Sequence, residues 1–306
     1  MRNFFWLVLA CLLLSAGCAR QTQPVGITVD PAFRTLILPA TKLLAGVDWD
    51  SLKTTDFYRR HQNDLNVSVL NAPAERLGIN PLRDVAKVLV SWDGNNWLFL
   101  ERGRWNPGDL QKRMIAAGAA ASNYRGRTLL GSTWTVTFFK TVAVEGSPAA
   151  VRNAVDVESA GNGEVPEELQ ERLRTLPSHD QIWAASRSGL AFASAITNSD
   201  VQSALSNITG SVSGATGGIY VDSGVHLSMD LECISDQGAT RVHDALRGVI
   251  GFARLSTKDD QQDLLRAYDA IQVDKKNRMV EVHADLSGDL GDKLIGTLRS
   301  IGRRSR

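Results

Sequence analysis

The stretch 225–233 alternates without a break: Val225, Leu227, Met229, Leu231 and Cys233 are apolar, and His226, Ser228, Asp230 and Glu232 stand between them. Side chains on a β-strand point to opposite faces in turn, so a period of two requires one face in a core and the other open. The pattern returns near the C-terminus, where Val280, Val282 and Ala284 alternate with Glu281, His283 and Asp285. Strands with one open face belong to antiparallel sheets, because parallel sheets are covered on both sides. With helical signals between the strands, this restricts the chain to the α+β class.

Two stretches carry the same order of signals. In the first, 41–47 reads as a strand, Asp50 caps a helix through Tyr58, and 86–92 with 97–102 forms a hairpin. Asn106-Pro107-Gly108-Asp109 then supplies a cap with proline at the first helical position, and that helix ends near Gly118. A hairpin at 133–145 and a helix opened by Ser147-Pro148 and running to Val155 complete the unit. The second stretch has a strand at 181–186, a helical segment, and a long hairpin at 213–233. A helix over 237–250 follows, with Val242, Leu246, Val249 and Ile250 on its inner face, closing at Gly251. The pair Ser256 and Asp259 has capping-box spacing for another helix. A hairpin turning at Lys275-Lys276 and a helix carrying Leu290, Leu294 and Leu298 end the fold. Both stretches read strand, helix, hairpin, helix, hairpin, helix. The expectation is two similar α+β units with a mainly antiparallel sheet, at 32–157 and 179–302, joined by a loop and helix at 158–178.

The N-terminus has the layout of an export signal: Arg2, an apolar run 4–14, then Ser15, Ala16 and Gly17 before Cys18. Eleven helical residues reach about 17 Å, against roughly 30 Å of bilayer hydrocarbon, so the run is too short to span. Residues 1–17 therefore read as a signal peptide and 18–31 as a tether. Leu14-Ser15-Ala16-Gly17-Cys18 resembles the lipobox of bacterial lipoproteins, although Ser15 replaces the aliphatic residue preferred three places before the cysteine. That resemblance implies cleavage before Cys18 and acyl chains, palmitate among them, on that residue. Each buried CH₂ contributes about 0.8 kcal/mol, so two or three chains anchor durably. Ala19 stands where the resemblance places aspartate for inner-membrane retention, which implies the outer membrane, facing the periplasm.

Loss of Arg2 with the signal leaves 33 of the 34 basic residues against 33 acidic ones. That balance excludes a basic nucleic-acid surface from the expectation. Cys11 leaves with the signal and Cys18 is acylated, so Cys233 has no disulfide partner and reads as an inert core thiol. The mature region resembles an uncharacterised family of acidobacterial-type envelope lipoproteins. The likeness rests on Leu43-Leu44-Ala45-Gly46-Val47-Asp48, on Val144-Glu145-Gly146-Ser147-Pro148-Ala149-Ala150-Val151, and on Asp244-Ala245-Leu246-Arg247-Gly248. These motifs are structural, and the resemblance implies no activity.

Four features are candidates for chemistry. First, if both alternating strands share a sheet, His226, Asp230, Glu232, Glu281, His283 and Asp285 line one open face. They are candidates for a metal site or an acid–base pair. Against a metal, residues two apart on a strand lie about 6.6 Å apart, whereas zinc ligands converge to about 2 Å from one point. A solvated sheet face explains them equally. Second, Trp92 and Trp97 flank Asp93-Gly94-Asn95-Asn96 and, with Trp105, could form a platform for cell-wall glycan. Cross-strand packing continued by Val90 and Phe99 is the plainer reading.

Third, Asp48 and Asp50 near a strand end could hold a cation, but a helix cap accounts for Asp50 alone. Fourth, Arg303, Arg304 and Arg306, in a basic tail 303–306, could touch anionic lipid or simply complement a helix C-terminus. Gly210, Gly214, Gly217 and Gly218 lack the Gly-Lys-Ser/Thr ending of a phosphate loop and read as loosening or bulging a strand. No zinc-protease motif, nucleophile elbow or Cys-x-x-Cys pair occurs, and no cofactor is implied. The expected function is therefore a lipid-anchored, non-catalytic binding or scaffolding module for an envelope protein or wall polymer. A metal-assisted or acid–base enzyme at His226 and His283 is the alternative. A carrier of apolar molecules would need a cavity between sheet and helices.

Overall fold

The structure, a computed structural model, describes residues 26–62, 79–191, 208–258 and 260–304. The signal segment, Cys18, Ala19, the first part of the tether, Asp259 and Arg306 lie outside the described residues. Twelve strands form one sheet. β1 (Leu43–Asp48), β2 (Val85–Trp92), β3 (Trp97–Gly103), β4 (Ala121–Tyr124), β5 (Arg127–Leu130), β6 (Thr135–Phe139) and β7 (Val142–Gly146) come from the first half of the chain. β8 (Ile182–Ser186), β9 (Val212–Val221), β10 (Val225–Cys233), β11 (Ile271–Lys276) and β12 (Met279–Leu286) come from the second. The order across the sheet is β11-β12-β10-β9-β8-β1-β2-β3-β7-β6-β5-β4. Neighbours are antiparallel throughout. β1 and β8 meet at the middle, so the halves share one hydrogen-bonded layer.

Ten described helices accompany the sheet: α1 (Pro31–Arg34), α2 (Trp49–Thr54), α3 (Asp56–His61), α4 (Pro81–Asp84), α5 (Pro107–Ala116), α6 (Pro148–Ala160), α7 (Glu167–Thr175), α8 (Asp236–Ser256), α9 (Gln262–Asp269) and α10 (Gly288–Arg304). Their starts follow from the residues before them. The Asn106 Oδ1 accepts the backbone N–H groups of Gly108 and Asp109 ahead of α5, and the Ser147 Oγ accepts that of Ala150 ahead of α6. α6 closes on Gly161 at φ +67°, a left-handed position suited to glycine.

The two faces are covered differently. On one, α6 and α7 with the segment 26–37 pack Val151, Val155, Leu169, Leu173 and Phe33 onto Leu44, Leu89, Leu100 and Val144. On the other, α5 covers Val136, Phe138 and Ala143, while α2 and α3 cover Val88 and Val221. There α8 also places Ala239 and Val242 on Leu231, Cys233 and Val280. α10 joins through Ile295. Cys233 is thus a core thiol, and its burial raises its pKa.

Several expectations are corrected. Asp50 is not a cap: Asp48 accepts the Ser51 N–H, and Thr55 starts a separate second helix by accepting that of Tyr58. The tether is docked from residue 26, where the Ile27 N–H donates to the Leu173 carbonyl and Ile27 and Val29 are buried. α6 runs beyond Val155 into what read as a loop. The β4–β5 hairpin carried no alternating signal. Gly251 does not close α8, which continues to Ser256 and leaves Val249, Phe252 and Leu255 exposed beyond the core. Ser256 ends that helix, and α9 starts at Gln262. The last hairpin turns at Asn277, φ +52°, not at Lys275-Lys276. Arg303 and Arg304 belong to α10 itself, not to a tail.

Candidate functional site

Cross-strand registers identify one row of residues that crosses ten of the twelve strands: Thr137, Val144, Leu100, Leu89, Gly46, Trp183, Gly218, Ser228, His283, Gln272. From Val144 to Leu89 it is aliphatic and lies under α6 and α7; its last part is polar. The change occurs at Gly46-Trp183-Gly218. A Cβ on Gly46 would meet the Trp183 indole, and a Cβ on Gly218 would meet the Asp180 carboxylate. The two glycines therefore act as seats, one for an aromatic ring that ends the aliphatic core and one for a buried acid. The strand runs through Gly217 and Gly218 in unbroken register, with the bulge at Glu232/Cys233 instead.

Asp180 is held by the strand that follows it. The Gln181 backbone bonds both neighbours, taking the Asp48 N–H on one side and donating to the Ile219 carbonyl on the other. Its side-chain amide copies a strand pairing, donating to the Val221 carbonyl at 2.9 Å and accepting the Val221 N–H at 2.7 Å. With both partners fixed, the Asp180 side chain is only 4% exposed, and its Oδ2 has no hydrogen-bond partner among the described residues. Burial without a donor disfavours the charged form and raises its pKa, which the nearby His179 only partly opposes.

Asp180 lines two cavities. The smaller, about 220 Å³, lies over Gly46 and Trp183 and is walled by Gly26, Phe33, Asp48 and Lys87. The larger, about 600 Å³, opens at the strand ends between Ser51, Thr54 and Asp56 on one side and His179, Tyr220 and Asp222 on the other. At its mouth, His179 meets Tyr220 edge-on at 4.5 Å between ring centroids, and Tyr220 stacks on His226 at 5.6 Å. A cleft of this volume, with a few placed polar groups, has the dimensions of a small-molecule site.

Of the candidates read from the sequence, Asp48 lines this cleft, and of those on the alternating strands His226 comes nearest it, stacked on Tyr220. Its Nδ1 lies 2.8 Å from the Asp285 carboxylate and its Nε2 lies 3.4 Å from that of Asp222. The hydrogen bond to Asp285, then that to Asp222, raises its pKa above the ordinary imidazole value. The Gly224 N–H, then His226, lower that of Asp222. Asp230, Glu232, Glu281 and His283 face the same way without joining that pair. His283 is opposite Ser228, and Asp230 is opposite Glu281. Burial, then the Glu281 charge, raises the pKa of Asp230. Glu232 is taken by Arg172 at 2.7 Å, the guanidinium lying over Gly214. Among the described residues no three His, Cys, Asp or Glu side chains group as metal ligands.

The aromatic platform is likewise corrected. Trp92 and Trp97 stack at 5.8 Å, but Trp92 is 8% exposed, and Trp105 is packed between α5 and α2 side chains away from them. Asp48 and Asp50 hold the protein's own cations: Lys87 is 2.8 Å from Asp48, and Lys53 and Arg104 are 3.1 and 2.8 Å from Asp50. Burial by itself would raise the pKa of Asp50, and these two cations bring it below the usual value. Asp180, Gln181 and Trp183 were missed. Their only sequence signal is a polar pair before a strand together with glycines inside two neighbouring strands.

No known protein family matches the chain, and no curated protein does. Among solved structures it is similar to TP0453. Crystal form III of that protein aligns with a TM-score of 0.51 at 9% identity, over 88% of this chain and 99% of that one. Crystal form I aligns with a TM-score of 0.49 at 9% identity, over 90% and 98%. At that identity the likeness concerns the fold alone.

Proposed function

We propose that this chain is a lipid-anchored envelope protein, a non-catalytic binding module made of two similar α+β units, whose ligand enters the cleft where they meet. The observation that carries the binding reading is Asp180, a buried carboxyl with an unmet oxygen beside a cleft of about 600 Å³. Duplication is supported by the strand order outward from the seam, β1, β2, β3, β7, β6 on one side and β8, β9, β10, β12, β11 on the other, with β5 and β4 added beyond β6. Anchoring rests on the lipobox-like segment ending at Cys18. No helix among the described residues is long and apolar enough to cross a membrane.

The binding reading is tested by equilibrium dialysis of the full chain against a low-molecular-weight envelope extract, with mass spectrometry of what is retained. Thr54→Trp, which narrows the cleft from an exposed position, should abolish retention of a compound that the parent holds. Equal retention by both would overturn the reading. Anchoring is tested separately: Cys18→Ala should take up no labelled palmitate and leave the membrane fraction, and unchanged labelling would contradict it. An acid–base enzyme at His226 is the second reading, favoured by its place between Asp285 and Asp222. A metal-dependent form requires stoichiometric metal lost in His226→Ala or His283→Ala.

A further inference from the structure

The cleft's lining indicates the charge of what it takes, an inference that rests on the binding reading above. Among the described residues it presents Asp48, Asp56, Asp180 and Asp222, and neither lysine nor arginine. Three of these carboxylates are already answered. Lys87 lies 2.8 Å from Asp48, Arg59 lies 3.6 Å from Asp56, and His226 lies 3.4 Å from Asp222. Asp180 is not. Its nearest cationic group, His179, is 4.0 Å from Oδ1 and 60% exposed, while Oδ2 has no donor.

An acidic surface attracts any counter-ion, but a buried acceptor left without a donor asks for a hydrogen bond as well as a charge. A bare metal ion would need several converging oxygens, and no such group exists among the described residues. A protonated amine needs fewer. Its N–H donors can meet the Asp180 carboxyl and the hydroxyls of Ser178 and Ser51, both on the cleft wall. The Tyr220 and His179 rings on the cleft wall supply apolar surface for the carbon framework next to such a cation.

We propose that the cleft binds a small organic cation, its primary ammonium group on Asp180 and its carbon framework against Tyr220 and His179. The test is calorimetric titration of the full chain with n-butylammonium, with butanol and butanoate as neutral and anionic controls of the same shape. Saturable heat is expected for the ammonium alone. Asp180→Asn should weaken it at least tenfold, and Thr54→Trp, on the other side of the cleft from Tyr220 and His179, should abolish it. The inference is overturned if butylammonium gives no saturable heat, if butanoate or butanol binds as well, or if Asp180→Asn binds like the parent. Should butylammonium fail while Thr54→Trp still loses an envelope compound that the parent retains, the cation is wrong and the binding cleft stands. If Thr54→Trp retains that compound unchanged, the cleft itself is wrong.

Discussion

On one face of a single sheet, the first half of the chain buries Leu89, Leu100 and Val144 completely or nearly so, while the second half presents Ser228, His283 and Gln272 from the same row. The strands are paired alike, so backbone geometry does not make the difference. It follows from where the next helix goes. After β7 the chain returns as α6 across the first half, and α7 covers its border with β8. After β10 it leaves as α8 on the opposite face, and α10 packs against α3 there. Helix placement thus divides one continuous surface into a core and an open floor, and the cleft lies at the division.

The largest effect should separate the two parts of the row. Leu100→Ala empties a fully buried site and should cost about 2–5 kcal/mol in urea unfolding, while Ser228→Ala should stay within about 0.5 kcal/mol. Similar costs would mean that the open face is covered in solution. Next is the seam. Gly46→Ala drives a methyl group into the Trp183 ring and should cost about 1–3 kcal/mol through overpacking, with a change in indole fluorescence.

Asp180→Asn acts in the other direction. The folded-state pKa of Asp180 is raised, so its protonated form contributes fully below the unfolded value of about 3.9, and that contribution is lost as pH rises through the folded value. At neutral pH the amide should therefore be the more stable by about 1 kcal/mol, and the gain should vanish in acid. The smallest effect belongs to His226→Gln. With a folded pKa raised by Asp285 and Asp222, His226 contributes fully below about 6.5 and loses that contribution as pH rises through its folded value. Because both partners are well exposed, less than about 1 kcal/mol is at stake, seen as a slightly smaller loss of stability as pH rises above about 6.5.

The same comparison explains what could be read from the sequence. Period-two alternation at 225–233 located both the strand and its two faces, because a strand with one wet side writes its environment into every residue. The caps at Asn106 and Ser147 were legible for a similar reason, being local chemistry between residues two or three apart. The junction was not legible. Asp180 is buried only because Gln181 ties β1 to β9 and Gly218 leaves room beside it, partners 38 or more positions along the chain or fixed by register. Likewise, Val249 on α8 reads as core by spacing but stands half exposed, with Phe252 and Leu255 exposed after it. Periodicity gives a face its character, and only the topology decides what stands opposite.

The central claim is that Asp180 is a buried acid awaiting a donor. Its carboxyl carbon, followed by NMR as pH is varied in the ligand-free chain, tests this most directly. The account predicts a titration above the ordinary carboxylate range that moves down when butylammonium is added at saturating concentration. A carboxyl that titrates at its ordinary value, unmoved by the cation, would contradict it.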